Sequence, residues 1–254
     1  MKNLAIILVA ILCCCCQKPS AQNAPGIEKY TTRDGKSITF HFYGHASLSI
    51  ETGGKYLYFD PVSMFGDFTK QPKADAVFIT HCHFDHFEVK SISALSNKGT
   101  SLFIDSTSAT MMRDSAAVKC TKNIMKPGET ANLLNGIKIE CVPAYNITEG
   151  HQQFHPRARK DCGYILTIGG SRIYIAGDTE NIPELKALKN IDVAFMPVNQ
   201  PYTMTINQTI DAVKAMRPKV FYPYHYGGTN VKTDIKRLEK EAKAYTDVRV
   251  RGME

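Results

Sequence analysis

The stretch AVFITHCHFDH, residues 76–86, places a short apolar run directly before a cluster of histidines and an aspartate. The run at residues 76–79 is β-branched and aromatic, which predicts a buried strand. The loop at residues 81–86 then supplies three imidazoles and one carboxylate, donors that suit Zn²⁺, Fe²⁺ or Mn²⁺. Because a rigid strand fixes the start of this loop, the sequence predicts a metal site at the strand's C-terminal end.

The spacing of these residues matches a known signature. The pattern His81-x-His83-x-Asp85-His86 resembles that of the metallo-β-lactamase-fold hydrolases. The resemblance covers nearly all of residues 38–245. It implies an α/β fold, a four-layer αββα sandwich of two mixed sheets, with one or two metal ions at the edge between the sheets.

Two later motifs resemble the same superfamily in chain order. Gly177-Asp178-Thr179 follows a predicted strand and is similar to the motif whose carboxylate bridges two metals, and His225 is similar to the last ligand of the family. The resemblance therefore implies two divalent ions, with Zn²⁺ preferred and Fe or Mn as the alternatives. The implied ligands of the first ion are His81, His83 and Asp178, and those of the second are Asp85, His86, Asp178 and His225.

One position departs from the family pattern. The superfamily usually has a histidine near the end of the strand predicted at residues 137–142, where this chain has Asn146. An amide oxygen is a weaker zinc ligand than an imidazole. Asn146 itself, His151 or His155 could complete the first site, with His155 favoured because its loop can fold back. The alternative is that both histidines lie on the surface.

The resemblance implies a metal-bound hydroxide that attacks an ester-like bond. Asp85 is assigned, by family analogy, to orient the hydroxide and to transfer a proton. Cys82 and Phe84, which alternate with the ligands, are expected to pack beneath the loop. The competing hypothesis, favoured by Asn146, is a metal-binding surface lipoprotein that has lost catalysis.

The substrate is indicated by weaker signals. Gly44-His45-Ala46-Ser47 and Asp60-Pro61 resemble the opening of a subgroup that includes ascorbate phosphate lactonase and N-acyl-phosphatidylethanolamine phospholipase D, which favours a lactone or phosphodiester. His45 either faces the substrate or bonds to the backbone at its turn. Arg157 and Arg159 could bind an acidic group of the substrate, or belong to a solvated basic loop.

The amino terminus predicts export. Residues 1–16 combine Lys2, an apolar run too short to span a membrane and four consecutive cysteines, Cys13 to Cys16, which resemble a bacterial lipoprotein signal. A plain secretory signal is the alternative. We predict a lipid-anchored protein of the periplasm or cell envelope, with a tether at residues 17–37 and a hydrolase domain at residues 38–254.

The composition is that of an ordinary globular protein, and one large α/β domain or two small ones would fit; the resemblance implies a small-molecule substrate. The 254 residues are 43% hydrophobic and 22% charged, and the net charge of +7 is spread along the chain, so no nucleic-acid partner is expected. Buried thiols are expected for the four later cysteines, because no Cys-x-x-Cys element suggests a bridge or metal. We also predict that Ser106 or Thr107 caps a helix running to about Val118, and that Thr205 caps another.

Overall fold

The computed structural model describes residues 26–112, 118–133 and 136–254, which form two seven-stranded sheets. The strands of the first sheet are β1 (Ile27–Thr31), β2 (Ser37–Gly44), β3 (Ser47–Thr52), β4 (Lys55–Phe59), β5 (Ala76–Ile79), β6 (Ser101–Ile104) and β7 (Thr121–Ile124). Those of the second are β8 (Thr130–Leu133), β9 (Ile137–Ala144), β10 (Asp161–Ile168), β11 (Ser171–Ile175), β12 (Val193–Pro197), β13 (Val220–Tyr224) and β14 (Asp247–Val248). The helices are α1 (Val89–Leu95), α2 (Ser106–Met111), α3 (Pro183–Lys186), α4 (Ile206–Met216) and α5 (Ile235–Ala242).

Both sheets follow the same order of connections. In the first, β1 to β4 pair antiparallel through hairpins, and β4 to β7 pair parallel. In the second, β8 to β11 are antiparallel and β11 to β14 are parallel. Parallel strands deliver their C-terminal ends to one edge of the sheet, so each half of the chain presents several loops at a common edge.

Aromatic side chains hold the two sheets face to face. Phe40 of the first sheet meets Phe195 edge-on with 5.3 Å between ring centroids, and Phe195 stacks on Tyr222 at 4.8 Å. Near the edge where the loops converge, Phe78 of β5 contacts Tyr164 of β10, and the Tyr164 hydroxyl donates to the Ile79 carbonyl at 2.9 Å. The sheets are therefore fixed to each other right beside the histidine loop.

Helices cover the outer faces of the sheets. Ile92 and Leu95 of α1 pack against Val77 and Ile79 of β5 in a separate hydrophobic cluster. On the other side, α4 and α5 contribute Val213 and Leu238 to the main core, and every residue of β12 and β13 is buried. This arrangement confirms the predicted α/β class and the four-layer αββα sandwich. The Thr205 cap of α4 is also confirmed, because its side chain accepts from the Gln208 amide.

The folded domain begins earlier than predicted. Strand β1 pairs with residues 37–41 of β2, so the tether predicted at residues 17–37 is wrong from residue 27 onward. The backbone amides of this segment find partners in the sheet rather than in water. The predicted signal at residues 1–16, with Cys13 to Cys16, and the tether up to residue 25 lie outside the described residues. Within the described part of the chain, no helix has the length and apolarity to cross a bilayer.

Two local predictions also change. The cap of α2 is Asp105, whose Oδ1 accepts from the amides of Thr107 (2.8 Å) and Ser108 (3.1 Å), because a carboxylate in extended backbone outcompetes the hydroxyls that follow it. The helix ends at Met111, short of the predicted Val118. The later cysteines are unpaired thiols, of which Cys141 and Cys162 are buried while Cys82 and Cys120 are half-buried.

Gly177, between β11 and the loop that carries Asp178, should be intolerant of a side chain. Its φ is +66°, and an added Cβ would lie 2.9 Å from the Cys162 carbonyl oxygen and 3.0 Å from the Thr80 Cβ. We expect Gly177→Ala to lower the free energy of unfolding by about 2–4 kcal/mol, through left-handed strain plus overpacking. Urea denaturation measures this value. The control Gly35→Ala, at φ +84° with no atom within 4 Å, reports the strain alone. Equal losses in the two variants would contradict the packing argument.

Candidate metal centre

The side chains predicted to bind metal, apart from Asn146, come together with His45 at the edge where the strands end. His45 follows β2, the loop at residues 81–86 follows β5, Asp178 follows β11 and His225 follows β13. Six of the chain's eight histidines meet there with two aspartates. Opposite sheets supply them, so the site forms only when the two halves of the chain are packed together.

One group of potential ligands consists of His81, His83 and His155. Their ligand atoms lie within 4.8 Å of one another, and His81 Nε2 is 3.1 Å from His83 Nδ1. His81 and His155 are buried, while His83 is half-buried at the surface of a cavity. The structure thus adds His155 to the two histidines that share the loop after β5.

A second group consists of His45, Asp85, His86 and His225, again with ligand atoms within 4.8 Å of one another. His86 and His225 stack with 5.2 Å between ring centroids. Asp85 is about one-fifth exposed and lines the cavity. Two sets of imidazoles therefore lie side by side, each with room for one ion.

Asp178 lies between the two groups. Its Oδ1 is 3.4 Å from His86 Nε2, and its Oδ2 is 3.2 Å from His225 Nε2, 3.4 Å from His155 Nε2 and 3.9 Å from His81 Nε2. Burial alone would raise the pKa of this carboxyl, but His225 and His86 hold the pKa well below its usual range. An ionised carboxylate at this position can be shared by two cations.

Unpartnered polar atoms show that the pocket fits a metal. His86 Nε2, Asp178 Oδ1 and His225 Nε2 are buried, and none of them makes a hydrogen bond of acceptable geometry. His86 Nε2 lies 3.4 Å from Asp178 Oδ1, and His225 Nε2 lies 3.2 Å from Asp178 Oδ2. An unsatisfied buried polar atom costs about 1–3 kcal/mol, and native proteins rarely leave several in one place. A divalent cation satisfies all three, since imidazole nitrogens and a carboxylate oxygen are its ordinary ligands.

A second layer of residues orients these ligands. Asp60 Oδ2 accepts from His86 Nδ1 at 2.8 Å and from the Thr80 hydroxyl at 2.7 Å, and Thr80 Oγ1 lies 3.0 Å from His81 Nδ1. Asp161 Oδ2 lies 3.4 Å from His155 Nδ1. Holding Nδ1 from behind turns each Nε2 toward the centre. Thr80 and Asp161 were not predicted from the sequence, and Asp60 appeared only within a motif.

Charge in this layer is compatible with cation binding. Burial would lower the pKa of His86, but the charge of Asp178 and the hydrogen bond from His86 to Asp60 raise this pKa to about 10. Asp60 is itself fully buried, and burial raises the pKa of its carboxyl. The carboxyl groups of Asp60 and Asp178 flank His86 at 2.8 and 3.4 Å, and the ionised Asp178 attracts positive charge to this end of the site.

His45 belongs to the site rather than only to its turn. Its imidazole is buried, its Nε2 lies 3.1 Å from Asp85 Oδ2, and its ring lies between Phe65 and His225. Burial, followed by the neighbouring His225, lowers the pKa of His45 to about 4, so the ring is neutral at physiological pH. A neutral imidazole can donate to Asp85 or bind a cation.

Asn146 and the two candidate histidines of its loop take separate positions. The Asn146 side-chain amide donates to the carbonyls of Tyr202 (2.7 Å) and His151 (3.2 Å), and its backbone amide donates to the His155 carbonyl. His151 Nδ1 lies 3.4 Å from the buried Glu180. Asn146 therefore fixes the loop, and His155 is the member that reaches the other imidazoles.

The two arginines predicted to contact the substrate form ion pairs. Arg157 is largely exposed, pairs with Glu184 at 3.0 Å and lies over the Tyr145 ring, outside the cavity at the site. The Arg159 guanidinium donates two hydrogen bonds to the Asp161 carboxylate, at 2.7 and 2.6 Å. Its third nitrogen lies 3.1 Å from His83 Nε2. Nearby carboxylates pair with both guanidinium groups, and neither side chain lines the cavity over the site, so their role in substrate binding stays a prediction.

The cavity over the site has a volume of about 540 Å³. His45, His83, Asp85, His155, Asp178 and His225 line its floor. Phe84 also lines it and is 76% exposed, so the prediction that this ring packs beneath the loop is wrong. His81 and His86 occupy the buried positions of the loop, and Phe84 between them faces solvent.

Asp60 should control how tightly the site holds metal. We expect Asp60→Asn to weaken metal binding by about 10–100-fold, because the amide holds His86 and Thr80 less firmly than a carboxylate. Competition with a chromophoric chelator measures the affinity. Asp75→Asn is the matched control. Like Asp60, Asp75 accepts from a side chain and from a backbone amide, here those of Lys55 and Tyr56, but it lies away from the ligands. Equal affinity in both variants would contradict the orienting role.

Known proteins resemble this chain in sequence and in structure. A family model described as a beta-lactamase superfamily domain matches residues 39–225. A protein of Pelotomaculum thermopropionicum named UPF0173 metal-dependent hydrolase is 27% identical over 197 residues, which is 73% of this chain and 82% of that one.

Two solved structures share the fold. One, from Parabacteroides distasonis, is 42% identical, has a TM-score of 0.83 and covers 91% of this chain and 100% of its own. The other is Igni18, a metallo hydrolase from Ignicoccus hospitalis, at 23% identity and a TM-score of 0.70 over 85% of this chain and 96% of its own. The family model matches well over half of the length of this chain, so the chain belongs to the beta-lactamase superfamily.

Proposed function

We propose that this metal-dependent hydrolase binds two divalent ions, with Zn²⁺ favoured over Fe or Mn, and cleaves an ester-like bond, a lactone or a phosphodiester, in a small molecule. The position of Asp178 carries the proposal. Its two carboxylate oxygens lie within 3.2–3.9 Å of imidazoles from both groups, as a ligand shared by two ions requires. The names of relatives such as the Pelotomaculum protein support the hydrolytic activity.

The residues divide between two sites. His81, His83 and His155 would hold the first ion, Asp85, His86 and His225 the second, and Asp178 both. Divalent ions in such a pair acidify a coordinated water toward neutral pH and polarise the oxygen of the bond under attack. The chain itself supplies the geometry, since strand ends and the Asp60 and Asp161 carboxylates fix where each ligand points.

Asp85 is the residue we assign to proton transfer. It lines the cavity, and its Oδ2 is 3.1 Å from His45 Nε2 and 3.7 Å from His225 Nε2. Burial would raise the pKa of Asp85, but the hydrogen bond from His45 and the charge of His86 bring the pKa below its usual value. The carboxylate is therefore ionised and can accept a hydrogen bond that orients an attacking water, while neutral His45 holds the carboxylate in place. Its position in the cavity supports assigning the proton transfer to it.

The metal-binding lipoprotein without catalysis remains a weaker alternative. It rested on Asn146 in place of a histidine, and His155 now supplies an imidazole at the first group. We further propose export and lipid anchoring, supported by the signal-like residues 1–16 and the four consecutive cysteines. A membrane-anchored hydrolase would act on substrates outside the cytoplasm.

Metal content and turnover test the proposal together. Mass spectrometry of the purified protein is expected to find about two ions per chain, and a panel of lactones and bis(p-nitrophenyl) phosphate to show metal-dependent hydrolysis. His83→Ala and Asp178→Ala should lose hydrolysis by at least 100-fold while keeping the circular dichroism spectrum, because the ligands lie at the sheet edge rather than in the hydrophobic core.

The matched control is His41→Ala. His41 lies on β2 and pairs with Glu51 at 3.2 Å, away from the ion ligands. This variant should retain both metal and turnover. Full activity in either ligand variant, or two ions per chain without turnover of any substrate in the panel, would contradict the proposed mechanism; the second result would favour the metal-binding alternative.

A further inference from the structure

Three aromatic rings stand around the cavity above the metal centre. Phe84 is 76% exposed and lies between His83 and Asp85 in the ligand loop. Tyr202 is 39% exposed and meets Phe154 edge-on with 4.8 Å between ring centroids. All three rings line the same cavity. Single exposed apolar residues are ordinary, but three rings gathered beside a reaction centre form an apolar binding surface.

Positive side chains do not line this cavity. Among the residues that the structure describes, its lining includes neither Lys nor Arg. The nearby Arg159 is held by Asp161, and Arg157 by Glu184. Sites that recognise phosphate or carboxylate groups normally supply a guanidinium or ammonium partner. A charged substituent on the arm of the substrate, away from the ions, would therefore find no Lys or Arg counter-ion in the cavity lining.

The wall formed by the segment after His225 is small and neutral. Gly227, Gly228 and Thr229 line it, and a Cβ added to Gly228 would meet no atom within 4 Å. The cavity is thus a cleft with one aromatic side and one open side, continuous with the floor formed by the metal ligands. A flat or extended apolar group can enter from solvent and reach the reaction centre.

We propose that the substrate is an uncharged carboxylic ester or lactone with an aliphatic or aromatic arm, and that this arm lies against Phe84, Phe154 and Tyr202. The proposal rests on the proposed function and narrows its substrate class. Water adds its oxygen to the acyl carbon, the acyl carbon–oxygen bond breaks, and the leaving oxygen takes a proton. The products are an acid and an alcohol, joined in one molecule when the substrate is a lactone.

Chain-length dependence is the direct consequence. Each methylene buried against the rings should raise kcat/KM by up to about fourfold. A series of p-nitrophenyl esters from acetate to octanoate, assayed with the metal-loaded protein, measures this dependence. We expect octanoate to exceed acetate by about 30-fold or more, and an ester of similar length ending in a carboxylate to be about tenfold poorer than its uncharged counterpart.

Phe84→Ser tests the aromatic surface itself. The octanoate-to-acetate ratio is expected to fall about tenfold in this variant, with bound metal unchanged, because the ring is replaced by a small polar group. Met111→Ser is the matched control, since Met111 is 62% exposed and lies on α2, outside the cavity lining. It should leave the ratio unchanged.

Several results would overturn the inference. Equal rates along the ester series, preference for the carboxylate-bearing ester, or hydrolysis of bis(p-nitrophenyl) phosphate alone would contradict it while leaving the proposed function intact. An unchanged ratio in Phe84→Ser with an altered oligomeric state by light scattering would assign the ring to an interface between copies. Failure to hydrolyse any ester, lactone or phosphodiester with both ions bound would reject the proposed function as well.

Discussion

The rest of the molecule depends on one constraint: buried ligand atoms that have no hydrogen-bond partner are held close together. Asp178 Oδ1, His86 Nε2 and His225 Nε2 face one another in an environment where each unsatisfied atom costs about 1–3 kcal/mol. Packing of the two sheets brings these atoms together, and hydrophobic burial must offset their desolvation. Cation binding turns the same atoms into a stabilising contact, so folding and metal binding should be thermodynamically linked.

The strand order explains how so distant a set of residues converges. Each sheet ends in parallel strands, so loops separated by more than a hundred residues emerge at one edge. Two hydrogen bonds link the sheets directly under the ligand loop. The Tyr164 hydroxyl donates to the Ile79 carbonyl, and the Cys162 amide donates to the Thr80 carbonyl. Asp60 then orients two ligands at once, because it accepts from His86 and from the Thr80 hydroxyl, and the same Thr80 oxygen accepts from His81 Nδ1. Precision at the site is thus a property of the sheets rather than of the loops alone.

Local pattern was enough to predict β5, the loop after it and the cap of α4, whereas the two sheets were predicted from the family resemblance. The apolar run before His81 and the capping Thr205 act within a few residues, so their signals survive in sequence. Contacts between distant segments were harder. Asp161 and Thr80 are ordinary strand-end residues until the fold sets them behind imidazoles, and Arg157 could not be excluded from the site before Glu184 was known to pair with it.

Burial caused the remaining errors. Alternation along residues 81–86 indicated that Phe84 would be covered, but the loop leaves the strand before that residue and its backbone no longer alternates between two sides of a sheet. Similarly, β1 carries exposed polar residues that suggest a tether, although its backbone pairs fully with β2. When one face of an edge strand is solvated, the hydrophobicity of its side chains does not reveal that its backbone is paired.

The loop between β9 and β10 links metal binding to substrate shape. Phe154 forms part of the aromatic wall, and the next residue, His155, completes the first group of imidazoles. Glu180 fixes the start of this loop by accepting from the amides of Ile147 and Thr148, and Asn146 ties it to Tyr202, whose ring meets Phe154. A change that widens the cavity by moving this segment would also move a ligand. Phe84 is constrained in the same way, because it lies between His83 and Asp85 in the other ligand loop. Substrate range can therefore vary most freely at Tyr202, which adjoins no ligand in the sequence.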